Sequence, residues 1–136
     1  MPTRRPAPAS ARYLLSVARF VEKKNLVALL EAHARWSGAA SDPVPLVLAG
    51  DGPLRETLER TAGPAVHLRP FAGYGELPAL YGLAEGFVLS SMVEQWGLTV
   101  NEAMASGCPV IASDRAGVTA ELVEDGVTGI VAPPTV

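Results

Sequence analysis

A run of 21 residues, SSMVEQWGLTVNEAMASGCPV at positions 90–110, links two apolar segments of the chain. The apolar residues 87–89 precede it and predict a buried strand, and a polar loop then leads to a turn at Gly97. A compact helix is predicted over 98–106, because Gly107 occupies the position that glycine favours just past a helix C-terminus. Residues 110–112 predict the next strand. The order strand, loop, helix, strand is typical of an α/β protein.

The same alternation extends along the rest of the chain in both directions. Strands are predicted at 13–18, 45–49, 66–68, 87–89, 110–112 and 129–131. Helices are predicted at 26–36, 54–61, 76–85, 98–106 and 119–124. Strands that alternate with helices over short connections indicate a parallel sheet with helices on both faces. We therefore expect an α/β, Rossmann-like three-layer sandwich with a parallel sheet of about six strands.

Length, net charge and cysteine content indicate what kind of protein this is. A chain of 136 residues corresponds to one domain, and its net charge of −3 gives no indication of nucleic-acid binding. No apolar run is long enough for a transmembrane segment, and a single cysteine, Cys108, fits a reducing compartment. We expect residues 1–11, which combine charges with prolines, to be a disordered tail or linker, and residues 12–136 to form the domain. These features predict a cytoplasmic protein, either free or peripheral at a membrane.

The start of the helix at 98–106 suggests a ligand. Free backbone N–H groups at Gly97, Leu98 and Thr99 would form an anion site, and glycine lets a phosphate approach closely. Glu94 and Glu102 lie on either side of that start, and carboxylates accept hydrogen bonds from hydroxyl groups. A nucleotide sugar carries both phosphate and hydroxyls. The residues alone leave open that Glu102 faces solvent or pairs with an arginine.

Several motifs, in order, resemble one known family. Glu94 and Glu102, with seven residues between them, resemble the Glu-x7-Glu signature of the family-4 retaining glycosyltransferases, which have the two-domain GT-B fold. The similarity covers roughly residues 12 to 134 and includes the segments SVARFVEKK (16–24), AGDGPL (49–54), EQWGL (94–98), NEAMA (101–105), GCPV (107–110) and LVEDGVTG (122–129). The resemblance implies that the chain is the nucleotide-sugar-binding half of such an enzyme.

The resemblance also implies roles for individual residues. Arg19 and Lys24 would bind the diphosphate, together with the helix start. Glu102 would accept hydrogen bonds from the ribose hydroxyls, and Glu94 would be the catalytic residue that contacts the donor sugar. Backbone groups around 69–73 would contact the base. From charge alone, the two cations would instead be solvated surface residues.

Two departures from the family pattern fall beside the predicted phosphate site. The family usually has glycine at the positions of Ala18 and Asn25, and Lys23 is an adjacent cation that could replace Lys24. The glycines at 50 and 52 do not form a P-loop, since the lysine and serine or threonine of that motif are missing, and we expect this loop to be structural. His33 and His67 are expected to be packed or surface side chains, and no spacing predicts a metal site.

The expected reaction is transfer of a sugar from an NDP-sugar to an unidentified acceptor with retention of configuration, with no metal or other cofactor. Few residues precede the first strand, so an N-terminal acceptor domain is not expected within these residues, and a separate acceptor domain or a second chain is a candidate partner. The alternative is a stand-alone or truncated nucleotide-sugar-binding domain without turnover. A fragment of a GT-B-fold epimerase is a more distant alternative.

Overall fold

The computed structural model describes residues 12–70, 73 and 75–135. Within these residues, six strands and five α-helices alternate, with one 3₁₀ turn at Glu22–Lys24. The strands are β1 (Leu14–Val17), β2 (Leu46–Ala49), β3 (Val66–Arg69), β4 (Gly86–Leu89), β5 (Val110–Ser113) and β6 (Gly129–Ala132). The helices are α1 (Leu26–Ala39), α2 (Arg55–Thr61), α3 (Leu77–Leu83), α4 (Leu98–Ala105) and α5 (Gly117–Leu122). The predicted tail at 1–11 lies outside the described residues, as does part of the predicted loop 71–75.

All six strands form one parallel sheet in the order β3-β2-β1-β4-β5-β6. The order reverses between β1 and β4, because the chain builds outward from β1 in one direction and then returns to its other side. In open parallel sheets, ligands bind at the carboxyl ends of the strands at this kind of reversal. The predicted α/β, Rossmann-like fold with six parallel strands is confirmed.

Two apolar clusters fill the space on either side of the sheet. The larger one contains buried residues of α3, α4 and α5 against strand residues such as Leu15 and Phe87. The smaller one contains residues of α1 and α2 against neighbouring strand residues such as Leu46 and Leu48. Side chains alternate between the two faces of each strand, which explains why all four residues of β2 are buried.

The face that carries α1 and α2 is only half covered within the described residues. Val88, Ile111 and Ile130 lie side by side on β4, β5 and β6, since parallel partners in register share a face. A cleft of about 560 Å³ lies over this part of the sheet, bordered by Trp36 of α1 and by the segment 133–135. Ile130 is 53% exposed, so the sandwich is open on this side.

The ends of the elements differ from the prediction by a few residues. Helix α1 continues to Ala39, and α3 is shorter than predicted. Helix α5 begins at Gly117, two residues earlier than expected, because tertiary contacts fix its start: the Gly117 and Val118 N–H groups donate to the Glu94 and Trp96 carbonyls. Such contacts between distant segments leave no periodic signal in the sequence.

The loop after β2 has the structural role that was predicted. The Phe20 N–H donates to the Asp51 carbonyl at 2.9 Å, and the Leu54 N–H donates to the Phe20 carbonyl at 3.0 Å. A Cβ at Gly52 would lie 2.8 Å from the Phe20 backbone, and one at Gly50 would lie 1.8 Å from the Ala18 carbonyl oxygen. Both glycines are therefore required by the close approach of this loop to the segment after β1.

Candidate functional site

The segments that follow β1 and β4 are bonded to each other at the carboxyl edge of the sheet. The Ser90 hydroxyl donates to the Lys24 carbonyl at 2.7 Å, and the Met92 N–H donates to the Lys23 carbonyl at 2.9 Å. These bonds fix the 3₁₀ turn Glu22–Lys24 against the loop that carries Glu94. The edge where a ligand is expected is thus formed by two loops that are hydrogen-bonded to each other.

Asn25 has a left-handed backbone, with φ 60° and ψ 36°. It ends the 3₁₀ turn and begins α1, and its N–H donates to the Glu22 carbonyl at 3.0 Å. Asparagine tolerates this conformation better than most residues, and glycine adopts it without cost. The asparagine that stands here, where the resemblance predicts glycine, therefore suits the backbone of this position. The asparagine side chain adds a bond to the Pro134 carbonyl at 3.0 Å.

Lys24 and Glu94 form an ion pair at this edge. The Lys24 Nζ lies 2.5 Å from the Glu94 Oε1, and the Ser91 hydroxyl donates to the same oxygen at 3.0 Å. The two charged side chains are only 18% and 15% exposed, so water screens the pair weakly. Of the two lysines, Lys24 is thus the one beside Glu94, while Lys23 is exposed.

Buried hydroxyl groups hold the base of the Glu94 loop. Ser91 is fully buried, and its carbonyl accepts a bond from the Ser113 hydroxyl at 2.7 Å. The Ser113 carbonyl in turn accepts a bond from the Thr119 hydroxyl at 2.6 Å. These bonds connect β5 and α5 to the loop. On the same side, a Cβ at Gly117 would lie 2.2 Å from the Gln95 carbonyl oxygen, so the loop packs directly on the first residue of α5.

The start of α4 has backbone donors beside Glu94. Gly97 has φ 101°, and a Cβ there would lie 3.5 Å from the Glu94 Cγ, which places Glu94 beside the helix start. Within the described part of the chain, the N–H groups of Leu98 and Thr99 have no hydrogen-bond acceptor. The Leu98 side chain is 64% exposed, and Thr99 is half-buried. Backbone donors and a cation therefore lie close to the same carboxylate.

Glu102 is half-buried in the second turn of α4 and has a partner that sequence reasoning missed. The Tyr81 hydroxyl, on α3, donates to the Glu102 Oε1 at 2.9 Å. Burial, followed by the hydrogen bond to Glu102, holds the pKa of Tyr81 well above its usual range, so the phenol stays protonated. A tyrosine on the buried stripe of a predicted helix was the available signal, because a buried tyrosine hydroxyl usually has a hydrogen-bond partner. No arginine contacts Glu102 within the described residues.

Arg19 lies in the loop directly after β1, on the same edge as the other predicted site residues. Its side chain is exposed, and among the described residues it forms no ion pair. The structure thus brings Lys24, Glu94 and the start of α4 together, with Arg19 on the same edge without a contact to Glu94. Of the segment 69–73 predicted to contact the base, residues 71 and 72 lie outside the described part of the chain.

The remaining polar candidates are packed or exposed as expected. His33 is 5% exposed and its Nε2 lies 2.8 Å from the Val44 carbonyl oxygen, while His67 is exposed. Cys108 is buried, and burial raises the pKa of its thiol. Across residues 12–70, 73 and 75–135, no three His, Cys, Asp or Glu side chains cluster as metal ligands would. None of the described helices has the length and apolar character needed to cross a membrane.

Comparison with known proteins gives a consistent result for the whole domain. The family described as glycosyl transferases group 1 matches residues 3–136. The alpha-D-kanosaminyltransferase of Streptomyces kanamyceticus is 36% identical over 126 residues, which cover 89% of this chain and 32% of that protein. The lipopolysaccharide core biosynthesis glycosyltransferase LpsE of Rhizobium meliloti is 36% identical over 114 residues, covering 81% of this chain and 32% of that protein.

Two solved structures superpose on most of this domain. The sucrose-phosphate synthase of Thermosynechococcus elongatus superposes with a TM-score of 0.79 at 28% identity, covering 93% of this chain and 33% of that chain. The HepE protein of Anabaena, solved in complex with UDP-glucose, superposes with a TM-score of 0.75 at 26% identity, covering 90% of this chain and 35% of that chain.

The fold and the matches identify a class of protein, the nucleotide-sugar-dependent transferases with the two-domain GT-B fold. This domain corresponds to the donor-binding half of that fold. The chain belongs to the group 1 glycosyl transferases, that is, family 4. It spans about a third of the length of the curated relatives it matches.

Proposed function

We propose that this domain binds the donor of a retaining glycosyltransferase and takes part in transferring a sugar from an NDP-sugar to an acceptor. The observation that supports this most directly is the contact between Lys24 and Glu94 beside the free N–H groups at the start of α4. A cation, an acid and backbone donors in one place suit a ligand that carries both a diphosphate and a sugar.

Lys24, Arg19 and the N–H groups of Leu98 and Thr99 would bind the diphosphate. An ammonium group has three donors, so Lys24 can bond a phosphate oxygen without releasing Glu94. As the bond to the sugar breaks, negative charge grows on the departing diphosphate. Positive groups at that position would stabilise this charge electrostatically, so the scheme requires no metal.

The two carboxylates would bind the rest of the donor. Glu94, held between Lys24 and Ser91, would contact the donor sugar at the face where the glycosidic bond breaks. Glu102, one helix turn beyond the anion site, would accept hydrogen bonds from the ribose hydroxyls. Hydrogen bonds to a charged acceptor contribute about 1.5–3 kcal/mol each, so a carboxylate on the ribose diol would be a main source of affinity.

Binding can be tested by titration calorimetry with UDP, GDP and ADP. Changing Glu102 to Ala should weaken binding of the preferred nucleoside diphosphate at least tenfold. Changing Arg19 and Lys24 together to Ala should reduce affinity for the diphosphate more than for the nucleoside, with Lys23→Ala as the matched control. Unchanged affinity in Glu102→Ala, or equal losses for diphosphate and nucleoside in the double variant, would remove those residues from the site.

The chain spans about a third of the relatives it matches, so turnover is tested separately from donor binding. Release of NDP separates the two functions. The purified chain is incubated with UDP- and GDP-sugars, alone and with a candidate acceptor domain added. Steady NDP release above the buffer rate by the chain alone would exclude the pure binding function, and release only with the added domain would identify that domain as the partner.

A further inference from the structure

We propose that Tyr81 is a positioning residue for Glu102, holding the Oε1 of the carboxylate so that Oε2 is presented to the ribose hydroxyls of the nucleotide. The proposal rests on the role proposed above for Glu102. It concerns a residue on a different helix, α3, whose hydroxyl the diphosphate and sugar sites do not use. The contact is the 2.9 Å hydrogen bond from the Tyr81 hydroxyl to the Glu102 Oε1.

The tyrosine ring is held firmly enough to act in this way. Tyr81 is 1% exposed and belongs to the larger apolar cluster. Its ring packs against Phe87 of β4, with centroids 5.6 Å apart and planes tilted by 58°. A ring enclosed on the sheet has little rotational freedom, so the direction in which its hydroxyl donates is fixed.

The hydroxyl acts in one direction only. Since the phenol stays protonated, and a carboxylate has no proton to give, Tyr81 donates and Glu102 accepts. One carboxylate oxygen is thus occupied. Within the described residues the Oε2 of Glu102 accepts no hydrogen bond, so it is the oxygen left for a ligand.

Fixing one oxygen affects how the other binds. A glutamate side chain has three rotatable torsions, and ordering them when a ligand binds costs entropy. In this domain the hydrogen bond from Tyr81 orders the side chain in advance, because the ring that carries the donating hydroxyl is itself buried. Ribose hydroxyls therefore meet an acceptor already in position.

A purely structural role makes a different prediction. If the hydroxyl merely satisfies its own hydrogen bond, removing it lowers stability and affects all ligands equally. If it positions Glu102, removing it weakens only those ligands that have ribose hydroxyls. A pair of ligands that differ in those hydroxyls alone distinguishes the two roles.

The test uses calorimetry on the chain with UDP or GDP, whichever binds more tightly, and its 2′,3′-dideoxy analogue. In Tyr81→Phe, affinity for the diphosphate should fall about 5- to 10-fold, while affinity for the dideoxy analogue should change less than twofold. The matched control is Tyr13→Phe, which also removes a buried hydroxyl, here bonded to the Leu80 carbonyl at 2.7 Å. It should leave both affinities unchanged.

A second variant tests the same contact from the other side. Glu102→Asp keeps the charge but withdraws the carboxylate from Tyr81, and it changes a half-buried position, so it is informative even if Tyr81→Phe does not fold. It should also lose affinity for the diphosphate and not for the dideoxy analogue. If Glu102→Ala shows this loss but Tyr81→Phe and Glu102→Asp bind like the wild type, the positioning role is overturned and the donor site stands. If Glu102→Ala binds both ligands normally, or the wild type binds neither, the proposed site itself fails.

Discussion

The Lys24 ammonium and the Glu94 carboxylate meet at 2.5 Å although 70 positions separate them in the sequence. Their contact exists because β1 and β4 are neighbours in the sheet and their exit loops are hydrogen-bonded to each other. The reversal of strand order therefore brings a cation and a carboxylate together at the point where α/β sheets bind ligands.

Breaking this pair from one side should destabilise the domain. Lys24→Met leaves Glu94 in a mostly buried position without its cation, and we expect the free energy of unfolding to fall by about 2 kcal/mol. Lys24→Met combined with Glu94→Gln should recover most of that loss, because no uncompensated charge remains. Urea denaturation measures both. The control is Arg35→Met, which removes an exposed pair with Glu31 and should change stability by less than about 0.5 kcal/mol. A double variant less stable than Lys24→Met would contradict the expectation.

Glu94 should matter for the sugar more than for the nucleotide. We expect Glu94→Gln to weaken binding of the NDP-sugar several-fold more than binding of the free NDP, measured by calorimetry. Ser91→Ala, which removes the hydroxyl that holds Glu94 Oε1, should show a smaller shift in the same direction. Ser37→Ala, a hydroxyl change on α1, serves as the control. Equal losses for sugar-bearing and free diphosphate would place Glu94 away from the sugar.

The left-handed backbone at Asn25 predicts which of two variants at this position is the more stable. Asn25→Gly and Asn25→Ala both lose the bond to Pro134, but only alanine has a Cβ that disfavours φ 60°. The glycine variant should be about 1 kcal/mol more stable than the alanine variant. Thermal unfolding of the two proteins measures the difference. If the alanine variant were equal or better, the strain at this position would be absent in solution.

Alkaline pH should destabilise the domain. Burial raises the pKa of Cys108 and is the first cause of the raised pKa values of Tyr13 and Tyr81. In the unfolded chain the thiol and phenols ionise at about pH 8.5 and 10, so above these values unfolding releases protons that the folded state retains. Stability is then fully present below about pH 8.5 and falls as pH rises, with the slope set by the proton difference.

Denaturation at intervals from pH 8 to 11 measures this fall. Tyr81→Phe should flatten the curve above about pH 10, because one of the retained protons is gone. Absorbance at 295 nm should show Tyr13 and Tyr81 ionising only with unfolding. A free energy of unfolding that does not change over this range would contradict the burial of these groups. So would ionisation of the Tyr13 or Tyr81 phenol in the folded chain.

Much of the architecture was predictable because it depends on local patterns. Short apolar runs between helical segments indicated all six strands, and Gly97 and Gly107 marked the two ends of α4. The contacts that complete the site are not local. Tyr81 reaches Glu102 from another helix, and Ser91 is held by β5, so no spacing in the sequence indicates either.

The half-covered face of the sheet was also not predictable. Ile111 and Ile130 are as apolar as strand residues that are fully covered. A residue's hydrophobicity indicates that it tends to be buried, but it does not indicate which element buries it. Which half of a face is left uncovered within the described residues follows from the strand order, and that order depends on tertiary pairing.

Gly117, the first residue of α5, lies directly against the loop that carries Glu94. Any side chain there would collide with the Gln95 carbonyl and displace the loop that carries Glu94. The orientation of Glu94, which we propose to contact the donor sugar, thus depends on a residue outside the proposed site. A mutational survey that ranked positions by distance from the donor would overlook it, although a single methyl group there would displace the segment that leads into α4.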